Sequence, residues 1–83
     1  MGQHKRVEIY TTRVCPYCQA AKKLLASKHV VFKEIDVTDD DAMREKLVAM
    51  TGGRVTVPQL FVDGVLIGGY DDLVRIYDSG QTL

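Results

Sequence analysis

The sequence predicts an α/β protein, a mixed four-stranded sheet built in the order βαβ, α, ββα and flanked by three helices. Three observations lead there. Val7-Glu8-Ile9-Tyr10 alternates apolar and polar residues as a half-buried strand does. Ala21, Leu24, Leu25 and Lys28 then recur at helical spacing. Farther on, two short apolar runs flank Asp63-Gly64, a pair that supplies the positive φ angles of a type I′ hairpin turn.

The first strand is expected at 6–11 and the first helix at 16–28, opened by Pro16, whose missing N–H costs nothing at the first helical position. A strand at 30–36 completes a βαβ unit, which implies a parallel pair with a right-handed crossover. A second helix is expected at 40–50, with Thr38 or Asp39 as its N-cap and acids in its first turn. Ala42, Met43, Leu47 and Met50 would form its inner stripe, and Gly52-Gly53 would stop it. The hairpin takes 60–62 and 65–67, and a last helix at 71–78 carries Leu73, Val74, Ile76 and Tyr77 as its apolar positions. No linker, repeat or low-complexity stretch interrupts this order, so residues 1–83 are expected to form one domain. A chain of this size buries about 60–65% of its unfolded surface, enough for one modest core.

Composition narrows the function. At 46% hydrophobic residues the chain is globular rather than disordered. Eleven basic and eleven acidic side chains cancel, so no general attraction to nucleic acid or anionic membrane is expected. Met1-Gly2-Gln3-His4-Lys5-Arg6 has no apolar run behind it, as a secretory signal would, and no stretch approaches membrane-spanning length. Two cysteines are too few for a secreted disulfide scaffold. A soluble, cytoplasmic monomer is expected.

Those two cysteines carry the chemistry. Cys15-Pro16-Tyr17-Cys18 lies where the strand pattern gives way to the helix pattern. On a helix, positions i and i+3 sit about 5–6 Å apart, within reach of a disulfide. The pair can open and close without refolding the chain, which makes it a redox site. A structural disulfide closing so short a loop would stabilise by only about 2 kcal/mol. A structural zinc site needs four ligands, and His4 and His29, the remaining candidates, do not stand at zinc-finger spacing. Two inert cysteines would have no reason to flank Pro16 at a helix start.

Three motifs in order, Cys15-Pro16-Tyr17-Cys18, Thr56-Val57-Pro58-Gln59-Leu60-Phe61-Val62-Asp63-Gly64 and Gly68-Gly69-Tyr70-Asp71-Asp72-Leu73, resemble those of the glutaredoxins, most closely the small bacterial dithiol type. The resemblance runs from about Val7 to Tyr77. It implies a thioredoxin fold and glutathione-dependent reduction of glutathionylated or disulfide-bonded proteins, with glutathione as electron donor and no permanently bound cofactor or metal. It implies Cys15 as nucleophile, Cys18 as resolving thiol, and a cis Val57-Pro58 bond. Arg13, Tyr17, Thr56, Val57, Pro58, Gly69, Tyr70, Asp71 and Asp72 would form the glutathione site. Many family members carry lysine where this chain has Thr12, so Arg13, Arg44 and Arg54 are the candidates for the glycyl carboxylate. Two other readings stay open: a redoxin reduced by thioredoxin reductase, and a non-catalytic carrier of a glutathione-ligated iron–sulfur cluster. The features at Gly68 to Asp72 argue against the first. Pro16 and the competing Cys18 argue against the second.

The residues support the same roles. An ordinary thiol has a pKa near 8.5, so about 3% is thiolate at pH 7. A helix dipole contributes about 0.3–1 kcal/mol toward an anion, far short of the roughly 4 kcal/mol that three pKa units require. Hydrogen bonds from the Tyr17 and Cys18 amides to the Cys15 sulfur, with Arg13 nearby, are expected to supply the rest. Cys18, one turn deeper, should be more buried and less ionised. Tyr17 reads as a surface aromatic or a substrate contact, and its place beside the sulfur favours contact. Asp71 and Asp72 read as helix caps as well as ligands for an ammonium group, and the helix start behind Gly68-Gly69 suits a carboxylate. His29 reads as a surface charge and His4 as part of a mobile tail. Neither is needed as a base if Cys15 is already ionised.

Overall fold

The computed structural model describes residues 5–54 and 56–81. His4, and the expectation attached to it, lies outside them. Among the described residues the order is β1 (Val7–Thr11), α1 (Pro16–Ser27), β2 (Phe32–Asp36), α2 (Asp41–Met50), β3 (Gln59–Val62), β4 (Val65–Gly68) and α3 (Tyr70–Asp78). The strands form one mixed sheet in the order β2-β1-β3-β4. β1 runs parallel to β2, with Val7 opposite Phe32 and Thr11 opposite Asp36. It runs antiparallel to β3, with Val7 opposite Val62 and Tyr10 opposite Gln59. This is the thioredoxin fold that the motifs imply.

The alternation along β1 sends Val7, Ile9 and Thr11 to one face, where all three are buried. There they join Ala21 and Leu25 of α1, Leu60 and Val62 of β3, and Leu73 of α3 in the core, Thr11 excepted. The opposite face carries Tyr10 and Phe61, whose rings meet edge to face with centroids 5.5 Å apart. The hairpin turn is as expected, with φ of 51° at Asp63 and 81° at Gly64.

Element ends differ from the sequence reading by a residue or two, and around α1 and α2 the reason is visible. α1 ends at Ser27 and β2 begins only at Phe32, because His29 turns into the left-handed region at φ 59° and the Val30 amide folds back to the Leu25 carbonyl at 3.0 Å. The N-cap of α2 is Asp40, whose carboxylate accepts the Met43 amide at 3.0 Å. Thr38 and Asp39 are engaged elsewhere: the Thr38 hydroxyl accepts the Arg13 amide at 2.8 Å, and Asp39 pairs with the Arg13 guanidinium. The predicted inner stripe of α2 narrows accordingly to Leu47, which is buried, and Met43, which is half-buried, while Ala42 and Met50 are exposed. α3 starts one residue early, at Tyr70.

Candidate active site

The site gathers where three chain segments end at one edge of the fold. Cys15 is the N-cap of α1, with extended backbone, and its sulfur accepts the Cys18 amide at 3.2 Å. Of the two amides expected to face this sulfur, the Cys18 amide does so. Pro16 occupies the first helical position. The Cys15 Sγ lies 3.6 Å from the Val57 carbonyl, which accepts the thiol's hydrogen. Val57-Pro58 is a cis peptide.

Cys15 and Cys18 are free thiols with contrasting surroundings. Cys15 is half-buried, whereas Cys18 has no exposed surface. Burial pushes the Cys18 thiol up to about 12, the hydrogen bond with Cys15 adds to this, and the Thr12 backbone amide pulls the other way. The outer thiol is therefore the accessible one and the inner thiol is held protonated.

Beside the sulfur opens a groove of about 410 Å³, within the range of small-molecule sites. Tyr17 of α1 and Tyr70 of α3 stand at its rim, ring centroids 6.0 Å apart. Thr56, Val57 and Pro58 form one wall, and Gly69, Asp71 and Asp72 at the start of α3 form the other. The helix start approaches the proline loop so closely that a Cβ on Gly69 would meet the Pro58 carbonyl at 3.4 Å. Asp72 reaches back to accept the Gly69 amide at 2.9 Å. This is one half of a capping box, since Gly69 has no side chain to return the bond. Asp72 also pairs with Arg54 at 3.7 Å and Arg75 at 3.8 Å. Gly68, at φ 124°, leaves room for it: a Cβ there would fall 2.1 Å from the Asp72 Oδ2.

Eight of the nine sequence-predicted glutathione positions thus line one groove. Arg13 stands apart from the other eight. It is exposed, tied to Asp39 on the β2–α2 connection, and takes no part in lining the groove. Arg54 does line it, and together with Val57 also borders a neighbouring cavity of about 220 Å³ that includes Arg44. Gln59 is a further residue of the site, one that the sequence alone does not single out. It is 1% exposed, and its Nε2 donates to the Thr56 carbonyl at 3.0 Å, fixing the wall from beneath. The signal for it was a polar residue between Pro58 and an apolar run. Among the described residues, no group of three or more His, Cys, Asp or Glu side chains is gathered as metal ligands would be. No helix among them is long and apolar enough to cross a membrane.

Paired thiols of unequal burial, on this order of strands, make the protein a thiol–disulfide oxidoreductase of the thioredoxin fold. Within that class the chain belongs to the glutaredoxin family, whose family model, described as Glutaredoxin, matches residues 7–67. It is 52% identical over 74 residues to glutaredoxin 3 of Escherichia coli K12, covering 89% of this chain and 88% of that protein. Among solved structures it is similar to a buckwheat glutaredoxin–glutathione complex, with a TM-score of 0.85 at 28% identity, covering 93% of this chain and 72% of that one. The solution structure of glutaredoxin from Brucella melitensis gives a TM-score of 0.79 at 44% identity, covering 90% and 80%.

Proposed function

We propose that the protein reduces glutathione mixed disulfides and protein disulfides with glutathione as electron donor, through Cys15 as nucleophile and Cys18 as resolving thiol. The observation that carries this reading is the Cys15 sulfur 3.6 Å from the Val57 carbonyl, at the mouth of the groove. A glutathione laid along the groove would offer its cysteinyl unit to the Val57 backbone. Its α-carboxylate would meet the free amides at the start of α3, and its ammonium would meet Asp71 and Asp72. Of the candidate arginines for the glycyl carboxylate, Arg54 borders the groove and Arg44 the cavity next to it, which Val57 also borders. A similar protein from buckwheat was solved as a glutathione complex, which supports the assignment. The reading is of a cytoplasmic monomer, in keeping with two cysteines, too few for a secreted disulfide scaffold.

In the glutathione route, the Cys15 thiolate attacks the glutathione sulfur of a mixed disulfide and the substrate leaves as a thiolate, which takes a proton. A second glutathione then attacks the Cys15-bound sulfur, releasing glutathione disulfide. A protein disulfide first becomes tied to Cys15, and Cys18 then displaces it. The test is a coupled assay with glutathione and glutathione reductase on a small mixed disulfide. Cys15→Ser should abolish turnover of both substrate types. Cys18→Ser should keep deglutathionylation and lose protein-disulfide reduction. The reverse pattern would exchange the two roles, and no glutathione-dependent turnover by the wild type would reject the function.

A further inference from the structure

We propose that Lys22, held in place by Glu34, is the positioning residue for the resolving step, supplying the positive charge that lets buried Cys18 ionise and attack. The inference rests on the role of Cys18 in the proposed function. Cys18 has no exposed surface and lies one turn inside α1. Burial alone pushes its thiol above an ordinary one, of which about 3% is thiolate at pH 7, so even less of Cys18 is ionised. Resolution needs that thiolate, so whatever favours it sets the pace of the step.

Lys22 stands four residues after Cys18, on the same face of α1. Its side chain is 23% exposed, and its Nζ donates to the Glu34 Oε2 at 2.9 Å. The same oxygen accepts the Thr11 hydroxyl at 2.7 Å from the buried end of β1. A free lysine would extend into water, whereas this one is tethered across α1, β1 and β2. The charged and titratable groups around Cys18 can be named by element. α1 brings Cys15 and Lys22, and the end of β1 brings the Thr12 amide, which donates toward the Cys18 sulfur. β2 brings Glu34 and Asp36, both of which feel Lys22. Asp36 also feels Arg13, and Lys22 is the cation that acts on Cys18 itself. Once Cys15 is in a mixed disulfide it carries no charge, so of the two sulfurs only Cys18 can gain from the ammonium. The proton of Cys18 leaves to solvent, its thiolate bonds the Cys15 sulfur, and the Cys15–glutathione bond breaks to release glutathione thiolate, which is reprotonated.

The test follows reduced wild type and variants mixed with glutathione disulfide, with rapid acid quench, across pH 6 to 9. The first glutathione released reports attack by Cys15 and the second reports resolution by Cys18. Lys22→Met should shift the pH profile of the second release upward and slow it about three- to tenfold near pH 7.5. Lys22→Arg should restore the wild-type profile, and Lys23→Met, on the exposed side of the same helix, should match wild type. If Lys22→Met loses its cooperative thermal transition, Lys22→Gln carries the comparison. An unshifted second release, or equal slowing in the Met and Arg variants, would overturn the proposal. Absence of any second release from the wild type would instead reject Cys18 as the resolving thiol, and this inference with it.

Discussion

A single CxxC spacing hides two different thiols. Cys15 sits at the surface as a helix cap, and Cys18 is enclosed with its thiol pushed up to about 12. One equivalent of iodoacetamide at pH 7.5 should therefore label Cys15 alone, and Cys18 should react only when the chain is unfolded. Peptide mapping by mass spectrometry checks this, and comparable labelling of both would contradict the burial. The order of depth was legible in the sequence because Pro16 fixes where the helix begins. The fate of Arg13 was not. Its charge sits beside the motif in sequence, but the partner that captures it, Asp39, is brought in by the fold from beyond β2. Position along the chain says nothing of a competitor 26 residues away.

At the scale of elements, every strand and helix was legible from period or turn chemistry, and the losses are at the ends and in the inner stripe of α2. Thr38, Asp39 and Asp40 are each able to cap α2, and only their other hydrogen bonds select Asp40. Asp40→Ala should cost about 1 kcal/mol of stability by urea titration. A larger loss belongs to Gly68→Ala, where φ is 124° and the new Cβ would meet the Asp72 Oδ2 at 2.1 Å. That substitution strains the backbone and displaces the carboxylate that caps α3, so about 1–3 kcal/mol should be lost. Glutathione turnover should fall with it. A Gly68→Ala protein as stable as wild type would show that the turn is not constrained. The cis Val57-Pro58 bond was expected only through the family resemblance, because local sequence permits either isomer.

Across the whole molecule, acid should act through the β2 side of the sheet. Hydrogen bonds from Lys22 and then Thr11 hold the Glu34 carboxyl below its ordinary value of 4.5. The Thr38 hydroxyl and amide do the same for Asp36. Groups lowered in the folded state bind protons more readily when unfolded, so their support is complete above about pH 4.5 and is lost as pH falls through the folded values. The thermal midpoint should be level from pH 7 to 5 and decline below pH 4.5, and Glu34→Gln should flatten that decline. An unchanged slope in this variant would place the acid sensitivity elsewhere. The fold class, the parallel βαβ pair, the hairpin and most of the groove's lining were readable because period, turn chemistry and motif agree at every level. The Lys22–Glu34–Thr11 tether was not, since it joins three elements whose relative placement no local pattern records.

The sulfur that does the chemistry is also the cap of α1, accepting the Cys18 amide. Joined to Cys18 in a disulfide, that sulfur has a different covalent partner, and the cap it offers the amide changes. Redox state and folding are therefore two sides of one thermodynamic cycle. Every kilocalorie by which the dithiol fold exceeds the disulfide fold in stability makes the disulfide a better oxidant, about 30 mV for each 1.4 kcal/mol. Denaturation curves of the two forms, set side by side, would give the potential of the folded pair relative to that of the unfolded chain.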